Sequence, residues 1–278
     1  MAVERNQLLE HIGLEITGMA GRDLVDREAA DECQAALDRH GVVVYRDAHI
    51  SDTDLVTFSR MLGEVVVPRA IDDGEFPEVA TITSDPKRSK LAALRKGNFF
   101  WHIDGTHDEL PQKGTLLAAH EVDPAGGDTE FATTYAAYQA LPEAEKERIA
   151  DLRVIHRFSR PMRLAFPDAT PEQRAGWDTI PEREHPLVWR RRDGRRSLLI
   201  GVTADEIVGM DPDESRALLD HLDEWATQPQ FTYRHQWRVG DLVIWDNTGM
   251  LHRALPFEPT SRRMLHRTTL VGDELVEA

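Results

Sequence analysis

The chain predicts an α+β fold, mainly β, arranged as one domain: a sandwich or jelly roll with a few helices packed outside. Three observations carry that expectation. Short runs rich in Val, Ile, Thr and aromatic residues recur along the chain, bounded by Gly, Pro, Asn and Asp. They do not alternate with helices in a βαβ rhythm. No internal repeat, low-complexity tract or linker divides the 278 residues, so 1–278 reads as a single domain.

Leu14-Glu15-Ile16-Thr17-Gly18 predicts a short strand closed by Gly. Residues 26–40 are helical in pattern: Asp26 caps them, Ala29, Cys33, Ala36 and Leu37 share a face, and Gly41 ends them. Residues 41–46 form a continuous β-branched run, the mark of a buried strand. A second helix starts near Ser51 or Asp52, carries Leu55, Phe58, Ser59 and Leu62 on one side, and stops at Gly63. Residues 65–67 and 79–83 read as further strands. Three aromatic residues, Phe99-Phe100-Trp101, then lead into His102-Ile103-Asp104 as a stiff strand. Residues 115–122 are a strand, and 126–131 a turn into another. Residues 135–141 and 142–149 are short helices. Residues 187–191 and 197–200 flank Arg192-Asp193-Gly194, a hairpin signal. Asp211-Pro212 opens a helix as cap and first residue, with Leu218, Leu219, Leu222, Trp225 and Ala226 as its apolar stripe and Pro229 as its stop. Strands at 231–237, 242–245 and 264–270 complete the chain.

Composition narrows the function classes. A formal charge of −16 and a pI near 5.2 argue against nucleic acid or anionic membrane as partner. No stretch approaches the ~20 apolar residues of a membrane span. Met1-Ala2-Val3-Glu4-Arg5-Asn6 lacks the layout of a signal peptide. Cys33 is the only cysteine, which excludes an intrachain disulfide and a thiolate metal site. These features fit a soluble cytoplasmic protein and leave a homo-oligomer open. Residues 86–97 contrast with the acidic background: they hold Lys87, Arg88, Lys90, Arg95 and Lys96 and no acid. They read either as a cationic lid or as a solvated surface loop.

In a strand, residues i and i+2 project from one face, so His102 and Asp104 point together and Ile103 points away. A second imidazole, His252, would complete a two-histidine, one-carboxylate set that leaves coordination positions open and suits Fe(II) and oxygen chemistry. Alone, His102-x-Asp104 is a spacing that chance supplies often, and a lone His near a strand end is usually just hydrogen-bonded. Arg263 and Arg267 add weight. With Leu265 they share one face of the last strand, and two guanidiniums near a buried face are costly unless they meet anions. An Arg fork is the preferred bidentate partner of a carboxylate.

With these residues in view the sequence resembles the Fe(II)/2-oxoglutarate dioxygenases of the taurine dioxygenase and 2,4-dichlorophenoxyacetate dioxygenase family. The resemblance runs from residue 41 onward and is densest at Trp101-His102-Ile103-Asp104, Gly126-Gly127-Asp128-Thr129-Glu130-Phe131, Tyr233-Arg234-His235-Gln236-Trp237, 240–247 and 262–267. It implies a double-stranded β-helix (jelly roll) with peripheral helices. It implies that His102, Asp104 and His252 hold Fe(II), and that Thr129 and Arg263 bind the distal carboxylate of 2-oxoglutarate. Arg267 matches the arginine that holds the substrate's anionic group, and Asn98 a further substrate-side position. The implied reaction consumes O2 and 2-oxoglutarate, hydroxylates an unactivated C–H and releases succinate and CO2. Related halogenases lack the carboxylate that Asp104 supplies here. Residues 126–131, 198–201 and 233–235 look closer to the aryloxyacetate branch, which favours a small carboxylate substrate. Met162 falls where the taurine enzyme places an aromatic, although it also suits an adaptable core filler. Taurine, alkylsulfonates and alkyl sulfates remain the alternative within the family. Outside it stand a zinc-dependent hydrolase using the same ligands and a non-catalytic jelly-roll binding protein.

Overall fold

The computed structural model describes residues 2–67, 76–89, 92–123, 126–258 and 261–277. In chain order its elements are β1 (Glu4–Gln7), β2 (Leu14–Thr17), α1 (Arg27–His40), β3 (Val42–Tyr45), α2 (Asp52–Leu62), β4 (Ala80–Thr83), β5 (Gly114–Glu121) and β6 (Thr129–Thr133). There follow α3 (Thr134–Ala140), α4 (Glu143–Ile149), β7 (Arg153–His156), α5 (Ser159–Ala165), α6 (Pro171–Asp178), β8 (Arg183–Pro186), β9 (Val188–Arg190), β10 (Arg196–Leu198) and β11 (Ala204–Ile207). The chain closes with α7 (Pro212–Ala226), β12 (Thr232–His235), β13 (Leu242–Asp246), β14 (Met250–Ala254) and β15 (Met264–Leu270).

A seven-stranded sheet runs in the order β1-β2-β3-β13-β5-β15-β4, and a three-stranded sheet in the order β12-β6-β14. Their inner faces meet over Val42, Val44, Leu117, Ala119, Phe131, Trp245 and Leu265, the interior of the jelly roll. The alternate residues Val43, Tyr45, Leu116, Ala118 and Ile244 pack outward with Cys33 and Leu37 of α1 and Leu55 and Phe58 of α2. Every residue of β3 is therefore buried, which is why that strand is an unbroken apolar run. A third cluster backs the small sheet: Ala132 and Leu251 meet Leu218, Leu219 and Leu222 of α7, with Trp189 and Leu198 from the β9–β10 hairpin. Among the described residues no helix is long and apolar enough to cross a membrane.

Local signals placed most ends correctly. Asp26 caps α1 through Glu28 N, and Gly41 closes it at φ 69°, in the left-handed region open to glycine. Ser51 caps α2 and Asp211 caps α7, with Pro212 in the first turn. Other expectations fail. Residues 99–101 are not a strand: a 3-10 helix spans Ala92–Phe99, and beyond it only a single bridge joins His102 to His252. Among the described residues no neighbouring strand supplies a ladder there, so β propensity alone does not act. Residues 65–67 likewise make one bridge, Val65 to Leu270. The strands β1, β7, β8, β11 and β14 carry no clear sequence signal, being short and without clean alternation. The short helices α5 and α6 are likewise absent from the sequence expectations. The α6 helix carried a readable signal, because Thr170 and Gln173 form a capping box around Pro171.

Candidate active site

His102 and His252 exchange two backbone hydrogen bonds, N–H to O at 3.0 and 2.8 Å. In an antiparallel pair, directly opposed residues project from the same face. Leu251 points into the outer cluster, so Met250 and His252 turn inward beside Phe131 and Trp245. Ile103 is buried on the outer side, as the i, i+2 argument required, even without a strand. Gly201 permits this approach: at φ 102°, its added Cβ would stand 2.9 Å from the Trp101 carbonyl oxygen and 3.2 Å from His102 Cα.

The Phe100 carbonyl accepts from His102 Nδ1 at 2.8 Å, which leaves Nε2 as the lone-pair donor. His102 Nε2 lies 3.8 Å from Asp104 Oδ1, and His252 Nε2 lies 3.7 Å from Asp104 Oδ2. One atom from each residue falls within 4.8 Å of the others, so the three could hold a metal ion. Burial pushes His252 down to about 3, helped by His102, and a neutral imidazole is the form that ligates. Burial works against the Asp104 carboxylate, yet His252, Arg267, His102 and the Thr115 hydroxyl together hold it far below the usual carboxylate range. Thr115 donates to Asp104 Oδ2 at 3.0 Å, and Asn247 Nδ2 donates to Thr115 Oγ1 at 2.9 Å. Both residues are fully buried and fix the carboxylate's orientation. Sequence reasoning missed this pair. Asn247 sat at the end of a block that the resemblance had marked, and that was its only signal.

Arg263 is 4 % exposed, and its Nε makes no hydrogen bond. Its guanidinium lies 5.3 Å from the Phe257 ring and 6.0 Å from the Trp237 ring. Burial pushes it down to about 10, opposed only by Asp128. A cation held this way fits an anionic ligand that completes it. Gly127 makes room for it: at φ 75°, its Cβ would meet Arg263 Cδ at 3.0 Å. Trp237 Nε1 donates to Thr129 Oγ1 at 3.0 Å and so orients that hydroxyl. Arg267 Nη1 stands 3.8 Å from Asp104 Oδ2, and its Nε is buried without a hydrogen bond.

Asn98, His102, Thr129, His252, Arg263 and Arg267 line one cavity. A second, of about 120 Å³, shares Asn98 and His102 and adds Asp104, His107, Phe158 and Met162. A third, of about 250 Å³, shares Asn98 and Arg263 and adds Arg95, Lys96 and Phe257. All seven residues singled out from the sequence thus line the first two cavities, which share Asn98 and His102. Met162 is buried and lines the wall rather than filling the core elsewhere. In the cationic segment three side chains have partners. Arg88 pairs with Glu121 at 2.8 Å, Arg95 donates to the Thr81 carbonyl at 3.1 Å, and Lys96 lies 5.5 Å over the Phe166 ring. Lys90 lies outside the described residues.

Fold and site define a jelly-roll protein in which two histidines and a carboxylate that could hold a metal ion share a cavity with a buried arginine. The chain belongs to the family described as taurine catabolism dioxygenase TauD, TfdA family, whose sequence model matches residues 4–269. It is 33 % identical over 272 residues to the (S)-phenoxypropionate/alpha-ketoglutarate-dioxygenase of Sphingobium herbicidovorans, covering 95 % of this chain and 93 % of that one. It is 32 % identical over 289 residues to the alpha-ketoglutarate-dependent 2,4-dichlorophenoxyacetate dioxygenase of Cupriavidus pinatubonensis, covering 99 % and 100 %. Among solved structures, AAD-2 in complex with Mn(II) and N-oxalylglycine superposes with a TM-score of 0.84 at 30 % identity over the whole of both chains.

Proposed function

We propose that the protein is an Fe(II)- and 2-oxoglutarate-dependent dioxygenase that hydroxylates a C–H of a small anionic substrate, an aryloxyalkanoate-like carboxylate. The observation that carries this reading is the buried Arg263, whose Nε has no hydrogen-bond partner among the described residues, beside three residues that could hold a metal ion. The donor set also fits: two Nε2 atoms and a carboxylate suit Fe(II) and leave positions open. A hydrolytic zinc site needs no second anion clamp, which weighs against that alternative.

Iron held there would supply the oxidising power for the hydroxylation, with O2 and 2-oxoglutarate consumed and succinate and CO2 formed from the cosubstrate. The chain's own residues place and enclose the reactants. His102, Asp104 and His252 would hold the metal. Arg263 and the Thr129 hydroxyl take the distal carboxylate of 2-oxoglutarate. Arg267 and Asn98 take the substrate's anionic group, while Phe158 and Met162 pack its apolar body and keep water out. Residues 86–97 serve as a lid, since Arg95 and Lys96 reach the third cavity beside Arg263.

Anaerobic Fe(II) with 2-oxoglutarate should give a lilac charge-transfer band, and its absence would reject the dioxygenase reading. The band should survive in Arg267→Gln, because metal and cosubstrate keep their own ligands. Substrate KM should rise at least about tenfold, matching loss of a charged hydrogen bond. Poorly held substrate leaves the target C–H misplaced, so the ratio of product to succinate should fall. Lysine at 267 should restore the ratio only in part, as a point charge does not reproduce the fork. Full coupling with unchanged KM in the Gln variant would move the anion clamp elsewhere. A screen of carboxylates, sulfonates and sulfate esters decides the substrate class, and better turnover of neutral compounds would reject an anionic one. For the lid, proteolysis within 86–97 should be fast in the apo protein and slow with metal, cosubstrate and substrate bound. Equal rates would make it a plain surface loop.

A further inference from the structure

A second two-histidine, one-carboxylate cluster lies on the opposite face of the large sheet. The pairing of β5 with β15 shifts register, from Met264–Glu121 to Leu265–Ala119, so His120 is the extra residue of a bulge. Leu265 and Arg267 face the interior and the active-site cavity. Between them, His266 turns the other way, toward the first residue of α2, Asp52. His266 Nδ1 lies 2.7 Å from Asp52 Oδ1, and His120 Nε2 lies 3.8 Å from the same oxygen. The two rings stand 4.1 Å apart at 45°, the same separation and tilt as His102 and His252.

A simple ion pair between His266 and Asp52 gives no reason for the second imidazole. His120 Nε2 is shut off from solvent, yet it makes no hydrogen bond. Asp52 is not occupied with capping its own helix, which Ser51 does. The three side chains are 28 %, 32 % and 18 % exposed in chain order, so an ion has a way in. Tetrahedral zinc holds its ligand atoms about 3.3 Å apart, which asks the 3.8 Å gap to close slightly and the 2.7 Å contact to open.

We propose that Asp52, His120 and His266 form a peripheral binding site for a borderline divalent ion, with zinc the reference ion and water in the fourth position. Imidazole donors favour zinc, nickel or copper over calcium and magnesium. Such an ion ties the start of α2 to the outer side of β15, the strand that carries Arg267 on its inner side.

The test uses metal-stripped protein and zinc alone. In His102→Ala/His252→Ala, which removes the catalytic donors, calorimetry should find about one equivalent of zinc bound. Adding Asp52→Asn, His120→Asn or His266→Asn should weaken it about tenfold or more. Millimolar magnesium or calcium should not compete. In the otherwise wild-type protein, Asp52→Asn should lower zinc uptake from about two equivalents to about one, with its melting curve showing that the fold is intact. No zinc in the His102/His252 double variant, or uptake insensitive to residues 52, 120 and 266, overturns the proposal.

Discussion

Asp104→Ala, His102→Ala and His252→Ala are each expected to abolish stable iron binding and turnover. Asp104 is the only anionic donor of the three. Without it, a divalent ion meets two imidazoles and the Arg267 guanidinium, whose Nη1 stands 3.8 Å from Asp104 Oδ2. Loss of an outer partner alone commonly costs about 10–100-fold in metal affinity, and loss of a ligand exceeds that. Thr115→Val gives the graded comparison. It removes the hydroxyl that orients Asp104 at 3.0 Å but keeps the carboxylate, so its loss should stay within that range. Iron content after anaerobic gel filtration, with succinate formation alongside, measures both. Wild-type activity in any of the three alanine variants would remove that residue from the metal set.

Arg263→Met is expected to separate stability from cosubstrate binding. Burial pushes the Arg263 guanidinium down to about 10. A base with a lowered folded-state pKa destabilises the fold wherever it is charged, and stability is recovered only as pH rises through that value. At ~1.4 kcal/mol per pH unit the penalty at neutral pH is on the order of 3 kcal/mol. An apolar side chain of similar length removes it, so the apo variant should melt no lower than wild type. The 2-oxoglutarate carboxylate, by contrast, loses a charged partner worth ~1.5–3 kcal/mol, which is about a 10- to 150-fold rise in KM. Thermal melts without ligand and initial rates against 2-oxoglutarate measure the two effects. An unchanged KM would leave Arg263 a structural residue only.

The metal set was partly legible in the chain because His102-Ile103-Asp104 carries its own geometry. Alternation turned Ile103 outward and the other two inward even though only one bridge forms there. Arg263 and Arg267 were legible because two guanidiniums in an apolar strand pattern call for anions. His252 was readable as a candidate, but its strand was not. Only five residues long, β14 becomes a strand by pairing with β6, not through its own pattern. The relay from Asn247 through Thr115 to Asp104 joins residues 132 and 11 positions apart, which no local pattern reports.

By itself, then, the sequence determined the helix caps, the doubly buried β3, the mainly β class and the residue types of the site, because these depend on neighbours within a few positions. Tertiary structure alone decided that residues 99–101 are not a strand, since among the described residues no partner strand runs beside them. It decided that Gly127 and Gly201 must lack side chains, because Arg263 and the His102 backbone lie against them. It also decided which way His120 and His266 face. That depends on the register shift between β5 and β15, a property of two strands meeting and of neither one alone.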